Sequence, residues 1–284
     1  MGLEILIIAI LIAAACSVLG SFLMLKNMAM ISDAISHTVL LGIVIGFFAV
    51  HNLNSPILII GAGMTGILTV YLVEVLNSTK LMKEDSAIGA VFPFLFSIAV
   101  ILISKFAGNV HLDIDSVLLG EIVFAPFNRM KILGLSVPVG LVSGLAVFIV
   151  NSLFIFIFFK ELKISTFDCE LAKTLGMKPK LIHYLLILLT SITSVVSFNV
   201  VGSILVVSFM IGPPVIAYLL TNKLRNMIII SVAIGAVASI IGYFLAIIAD
   251  VSIAGTIAVV IGVIFLVVLL KKQMETYFQK RIKM

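Results

Sequence analysis

Long apolar runs separated by short polar breaks recur along the whole 284-residue chain. A bilayer core of ~30 Å is crossed by ~20 helical residues at a rise of ~1.5 Å each. Nine windows have that length, at residues 3–25, 29–50, 56–76, 87–106, 132–159, 181–200, 203–221, 227–249 and 253–270. None alternates apolar with polar positions as a membrane barrel strand must, so the runs read as helices. The pattern predicts an all-α, polytopic membrane protein whose single transmembrane domain covers residues 1–284. The stretch between the fourth and fifth windows, with "HLDIDSVLLGEIVFAPF", fits the pattern least. A re-entrant or interfacial helix there makes the count eight or ten.

Composition agrees with the pattern. Hydrophobic residues make up 62% of the chain and charged ones 11%, and the mean hydropathy is +1.34. That charge fraction is too low to coat a soluble protein of this length. Cys16 sits in an apolar run and Cys169 in a charged loop, without any CxxC or Cys/His spacing, so both are expected to be free thiols. The run 3–25 exceeds a signal-peptide core and lacks a basic leader, which makes it the first span.

Charge then orients the chain. Lys26, Lys80 with Lys83, the loop 160–180, Lys223 with Arg225 and the tail 271–284 all fall on one side when the N-terminus lies outside and the C-terminus in the cytoplasm. Arg129 and Lys131 are the misfits, left outside. The net charge of +5 is explained by this orientation and does not call for nucleic acid. Short outside turns at 199–202 and 250–252 predict packed antiparallel hairpins. The cytoplasmic loop "KELKISTFDCELAKTLGMKPK" is long enough for a short amphipathic helix from Asp168 to Leu175, with an acid at its start and Gly176 beyond its end.

Within the second window, "ISDAISHTVL" places Asp33 and His37 four residues apart. If the helix starts near Met28, they lie ~8 Å and ~14 Å along it, the second near the bilayer midplane. They share one face, and a charge at that depth costs at least ~2.5 to 3.5 kcal/mol. A hydrogen bond between helices returns well under ~1 kcal/mol, so the pair points to an ion path. Carboxylate oxygen with imidazole nitrogen suits borderline divalent metals such as Mn, Fe and Zn. Two ligands do not close a site, whereas a second copy of the face across a two-fold axis supplies two oxygens and two nitrogens.

Other polar groups carry less. His51 and His183 fall at helix ends, where interfacial polar residues are ordinary. His111 with Asp113 and Asp115 forms a candidate outer mouth, able to guide cations or meet a delivery protein, or else a solvated loop. Pro213 and Pro214 remove two backbone donors within the seventh window and predict a kink, which is either a pathway wall or gate, or a packing feature. Gly42 and Gly46 allow close helix approach.

"DAISH" in the second window, "FDCELAKTLGM" in the long loop and "VGSILVVSFMIGPPVIAYLLT" in the sixth and seventh together resemble the metal-cation permeases of bacterial ABC importers for manganese, zinc and iron. The likeness spans nearly the whole chain in motif order. It implies a bacterial cytoplasmic-membrane complex of two permease copies, identical or related, a cytoplasmic ABC ATPase dimer and an extracytoplasmic metal-binding protein. It also implies that Asp33 and His37 bind the transported ion and that a coupling helix centred on Asp168, Glu170, Ala172 and Gly176 docks on the ATPase. "HLDIDSVLLGEIVF" looks most like manganese-type members. Thr38, where the family commonly has a small residue, and Val215, within a usual Pro-Ala-Ala type run, depart from the pattern and bear on the gate.

No G-x-x-x-x-G-K-[ST] loop occurs, so ATP hydrolysis is expected on a partner and the chain itself is not an enzyme. No permanently bound cofactor is expected; Mn2+, Zn2+ or Fe2+ would be cargo. The competing readings are a proton-coupled secondary metal transporter, an ABC permease for a metal chelate, and a membrane scaffold that transports nothing.

Overall fold

The structure, a computed structural model, describes residues 2–51, 55–106, 122–132 and 135–282. Among the described residues the long helices are α1 (Gly2–Leu25), α2 (Ala29–Val50), α3 (Pro56–Ser78), α4 (Glu84–Phe106), α5 (Val139–Ile157), α8 (Pro179–Val201), α9 (Ser203–Leu220), α10 (Leu224–Ala249) and α11 (Ile253–Ile282). These nine are long and apolar enough to cross a bilayer. Two short helices, α6 (Phe159–Phe167) and α7 (Cys169–Thr174), lie between α5 and α8. A 3-10 turn at Ile122–Phe124 precedes an antiparallel hairpin of β1 (Arg129–Ile132) and β2 (Leu135–Pro138).

Local chemistry accounts for several boundaries. Pro56 and Pro179 stand in the first turns of α3 and α8, where the missing N–H costs nothing, and the Ser55 side chain accepts from Ile57 N at 3.3 Å. The fifth span corrects the expected window. It begins at Val139 because Pro138 drives the residue before it into extended backbone, and residues 135–138 pair with β1 instead. Arg129, the misfit of the charge pattern, forms an ion pair with Glu4 at the start of α1. The loop 160–180 is also more helical than expected, with α6 preceding the predicted short helix.

The chain divides into two compact units. One comprises Met1–Met24, Glu121–Ser152 and Ile204–Met284; the other comprises Leu25–Gly120 and Leu153–Ser203. The first is built around α1, most of whose residues are buried. Ala13 and Ser17 meet Gly235 of α10, Ile12 meets Gly144 of α5, and Asn151 Nδ2 donates to Ala15 O at 3.2 Å. Gly20 lies against the backbone of Met210 in α9, where a Cβ would collide with the carbonyl. The hairpin expected at 250–252 exists: Asp250 ends α10 in the left-handed region and Gly242 packs on Ile257 of α11. The other expected turn, at 199–202, is shortened to one residue. Gly202, at φ +84°, alone separates α8 from α9, and the chain passes there from one unit to the other.

The second unit is a slab of α2, α3 and α8, with α4 on α2 and α3. Gly42 and Gly61 bring the backbones of α2 and α3 so close that a Cβ on either would strike the other helix's carbonyl. Gly66 receives the Ser191 hydroxyl of α8 in the same way. Buried hydroxyls in α8 are satisfied within the helix, Thr190 donating to Leu186 O at 2.8 Å and Ser191 to Ile187 O at 3.0 Å.

Candidate metal site

Asp33 and His37 occupy the first turns of α2, and their side chains do share a face, with Asp33 Oδ1 and His37 Nε2 3.8 Å apart. Their neighbours Ser32, Ala34, Ile35, Ser36 and Thr38 are buried, yet the Asp33 side chain is 45% and the His37 side chain 31% exposed. The pair is therefore presented on the open side of a helix that is otherwise packed. The imidazole rests against α4: Phe92 lies 5.1 Å away at a tilt and Phe96 6.0 Å away edge-on, centroid to centroid. Two aromatic rings limit the rotation of the ring and leave its nitrogens for a ligand. Sequence reasoning passed over both phenylalanines. Their i, i+4 spacing was visible, but nothing in it says that their face meets α2.

Thr38 follows the histidine on the buried side. Thr69 Oγ1 of α3 donates to Thr38 Oγ1 at 2.8 Å, and Thr38 Oγ1 donates to Ile35 O at 3.3 Å. Thr38 thus makes an α2 to α3 hydrogen bond one position from His37. Among the described residues no group of three or more His, Cys, Asp or Glu comes together. The segment with His111, Asp113 and Asp115 lies outside the described residues.

Pro213 and Pro214 are buried inside α9, a single helix from Ser203 to Leu220. A proline frees the carbonyl four residues before it, here those of Phe209 and Met210. Helix α1 meets both: Ser17 Oγ donates to Phe209 O at 3.4 Å and Gly20 abuts Met210 O.

The second element is α7. Asp168 is its N-cap, its Oδ1 accepting from Leu171 N at 2.9 Å, and Gly176 closes it at φ +75°. Met177 N donates to Ala172 O and Gly176 N to Lys173 O, both at 3.0 Å, the pattern of a Schellman motif. Ala172 is buried against its own unit, whereas Glu170 is exposed and paired with Lys173 at 2.7 Å. Apolar surface is presented by Phe167 at the end of α6 and by Leu171 and Leu175, four apart on α7 and its C-cap, 64%, 47% and 55% exposed. Lys26, beyond the end of α1, lies within electrostatic reach of Cys169 and Glu74; burial holds it below the ordinary lysine value against their opposing pull.

His51 and His183 are placed differently. His51 ends α2 in the left-handed region, its N–H on Phe47 O at 2.7 Å. His183 is engaged with Glu74, a residue the sequence reading did not single out although an acid in the last turns of a span is a visible signal.

The profile of the ABC 3 transport family matches residues 3–272. The chain belongs to that family. It is 44% identical to the manganese transport system membrane protein MntD of Bacillus subtilis, over 93% of this chain and 90% of MntD. It is 47% identical to the zinc transport system membrane protein TroD of Treponema pallidum, over 95% of this chain and 74% of TroD. Among solved structures it is similar to PsaBC from Streptococcus pneumoniae in complex with Fab, with a TM-score of 0.74 and 30% identity, covering 93% of this chain and 89% of that one. The α-helical polytopic architecture is thus that of an ABC 3 family membrane component.

Proposed function

We infer that the chain is the permease subunit of an ABC importer that carries a divalent transition metal into the cytoplasm, manganese first, then zinc or iron. The observation that carries the reading is the Asp33 and His37 pair, held 3.8 Å apart on the open face of a membrane helix and braced by Phe92 and Phe96. One carboxylate and one imidazole per chain, doubled by a second permease copy, give an oxygen and nitrogen set suited to such ions and to their release. Relatives named for manganese and for zinc support the cargo class.

Family membership assigns ATP hydrolysis to a separate subunit. The exposed Leu171 of α7 and Leu175 at its C-cap, with Phe167 at the end of α6, form the surface offered to that ATPase, with Asp168 and Gly176 fixing the ends of α7 and Glu170 beside it. This puts α7 and the C-terminal end of α11 in the cytoplasm and the N-terminus outside, in a bacterial inner membrane, with a metal-binding protein delivering cargo at the outer face.

The test is uptake by the reconstituted complex of permease, ATPase and binding protein. ATP-dependent accumulation of Mn2+ that Asp33→Ala and His37→Ala each abolish is the expected result. Uptake driven by a pH gradient without ATP would replace this reading with a proton-coupled carrier.

A further inference from the structure

Glu74 stands in the last turns of α3, and both of its carboxylate oxygens are committed to α8. Oε1 lies 2.8 Å from His183 Nε2, and Oε2 accepts from the Tyr184 hydroxyl at 2.8 Å. The imidazole is largely enclosed, with its side chain 17% exposed, while the carboxylate side chain is 46% exposed. An acid at a helix end beside water needs no such partners, so a two-pronged bond across helices is a specific join.

The join sits at one end of a continuous packed route within a single compact unit. Helix α7 is closed at Gly176 by Schellman bonds from Gly176 and Met177 back into its own last turn, and α8 begins three residues later at Pro179. His183 and Tyr184 lie in the second turn of α8. Glu74 passes the connection to α3, whose Gly61 and Thr69 grip Gly42 and Thr38 of α2. Thr38 adjoins His37. The link from α7 to α8 is a linker of only a few residues, and each later contact is backbone-close or hydrogen-bonded, so a displacement entering at α7 meets little slack before it reaches Asp33 and His37.

We propose that Glu74, with His183 and Tyr184, is a positioning latch that passes movement of the coupling helix to α3 and so to Asp33 and His37. The proposal rests on the reading above of α7 as the docking element and of Asp33 and His37 as ion ligands. The latch touches neither the ion nor ATP. Its loss therefore disconnects two activities that each persist.

The experiment uses the complete importer in vesicles and reads ATP hydrolysed, Mn2+ taken up, and Mn2+ bound per permease without ATP. For Glu74→Ala, hydrolysis and binding are expected to stay within about twofold of the parent, while Mn2+ moved per ATP falls at least about tenfold, the factor for one lost charge-assisted hydrogen bond. Tyr184→Phe keeps the ring and removes one prong, so it gives a smaller fall and guards against misfolding of the first variant. Glu74→Gln, whose amide can still bond to both partners, is expected to restore much of the ratio. An unchanged ratio in Glu74→Ala and Tyr184→Phe overturns the latch, as does a proportional loss of hydrolysis and uptake. If Asp33→Ala and Leu171→Glu leave uptake intact in the same assay, the functional reading fails and takes the latch with it.

Discussion

At the scale of single residues, the metal pair depends on groups that are not ligands. His37 is positioned by Phe92 and Phe96, so Phe92→Leu, which keeps the volume class but removes the ring contact, is expected to raise the Mn2+ concentration for half-maximal uptake several-fold at an unchanged amount of folded protein. The glycine contact behind the pair is a matter of stability instead. Gly42→Ala must push α2 from the Gly61 carbonyl, an overpacking cost of about 1–3 kcal/mol, and the variant is expected to melt at lower temperature in detergent. The i, i+4 relation of Asp33 and His37 was fully legible in the sequence because helix geometry alone decides it. The partners of His37 were not, because they come from a helix about sixty positions away.

At the scale of elements, α7 was foreseen from its boundary signals, an acid at the start and a glycine past the end, and these are local in origin. Gly176 has open space around it, so its requirement is backbone conformation and not room. Gly176→Ala is therefore expected to cost about 1–2 kcal/mol through the left-handed backbone, loosening α7 and lowering ATP-driven uptake. Leu171→Glu is expected to weaken co-purification of the ATPase while leaving the permease folded, since that side chain is exposed and not part of the core. The fifth window was read too long for a related reason: residues 132–138 are apolar, but Pro138 and strand pairing outweigh hydropathy there. In α9 the two prolines leave two carbonyls without their usual partners, and Ser17 and Gly20 of α1 accommodate them, so Ser17→Val is expected to lower thermal stability more than the same change at a buried serine bonded only within its own helix, such as Ser239.

At the scale of the whole molecule, the coupling helix and the metal pair belong to the same compact unit, though α7 follows α2 by more than a hundred positions. Helix α1, adjacent in sequence to α2, belongs mainly to the other unit. One unit thus carries both the proposed ligands and the proposed docking surface, and the other is built around α1, where Arg129 is tied to Glu4. The Arg129 pair explains the residue that fitted the charge pattern worst.

What the sequence determined by itself was whatever depends on local spacing and on solvent: the membrane class, the long helices, the shared face of Asp33 and His37 and the ends of α7. Burial in lipid forces apolar runs into helices whatever their neighbours, so those features could be read without contacts. What only the tertiary structure decided was which helix faces meet. The aromatic brace on His37, the Thr38 to Thr69 bond, the Glu74 join and the seating of α1 on the proline-freed carbonyls each involve a partner distant in sequence. Apolar helices give few clues to such pairing, because lipid and a neighbouring helix are equally good solvents for their side chains.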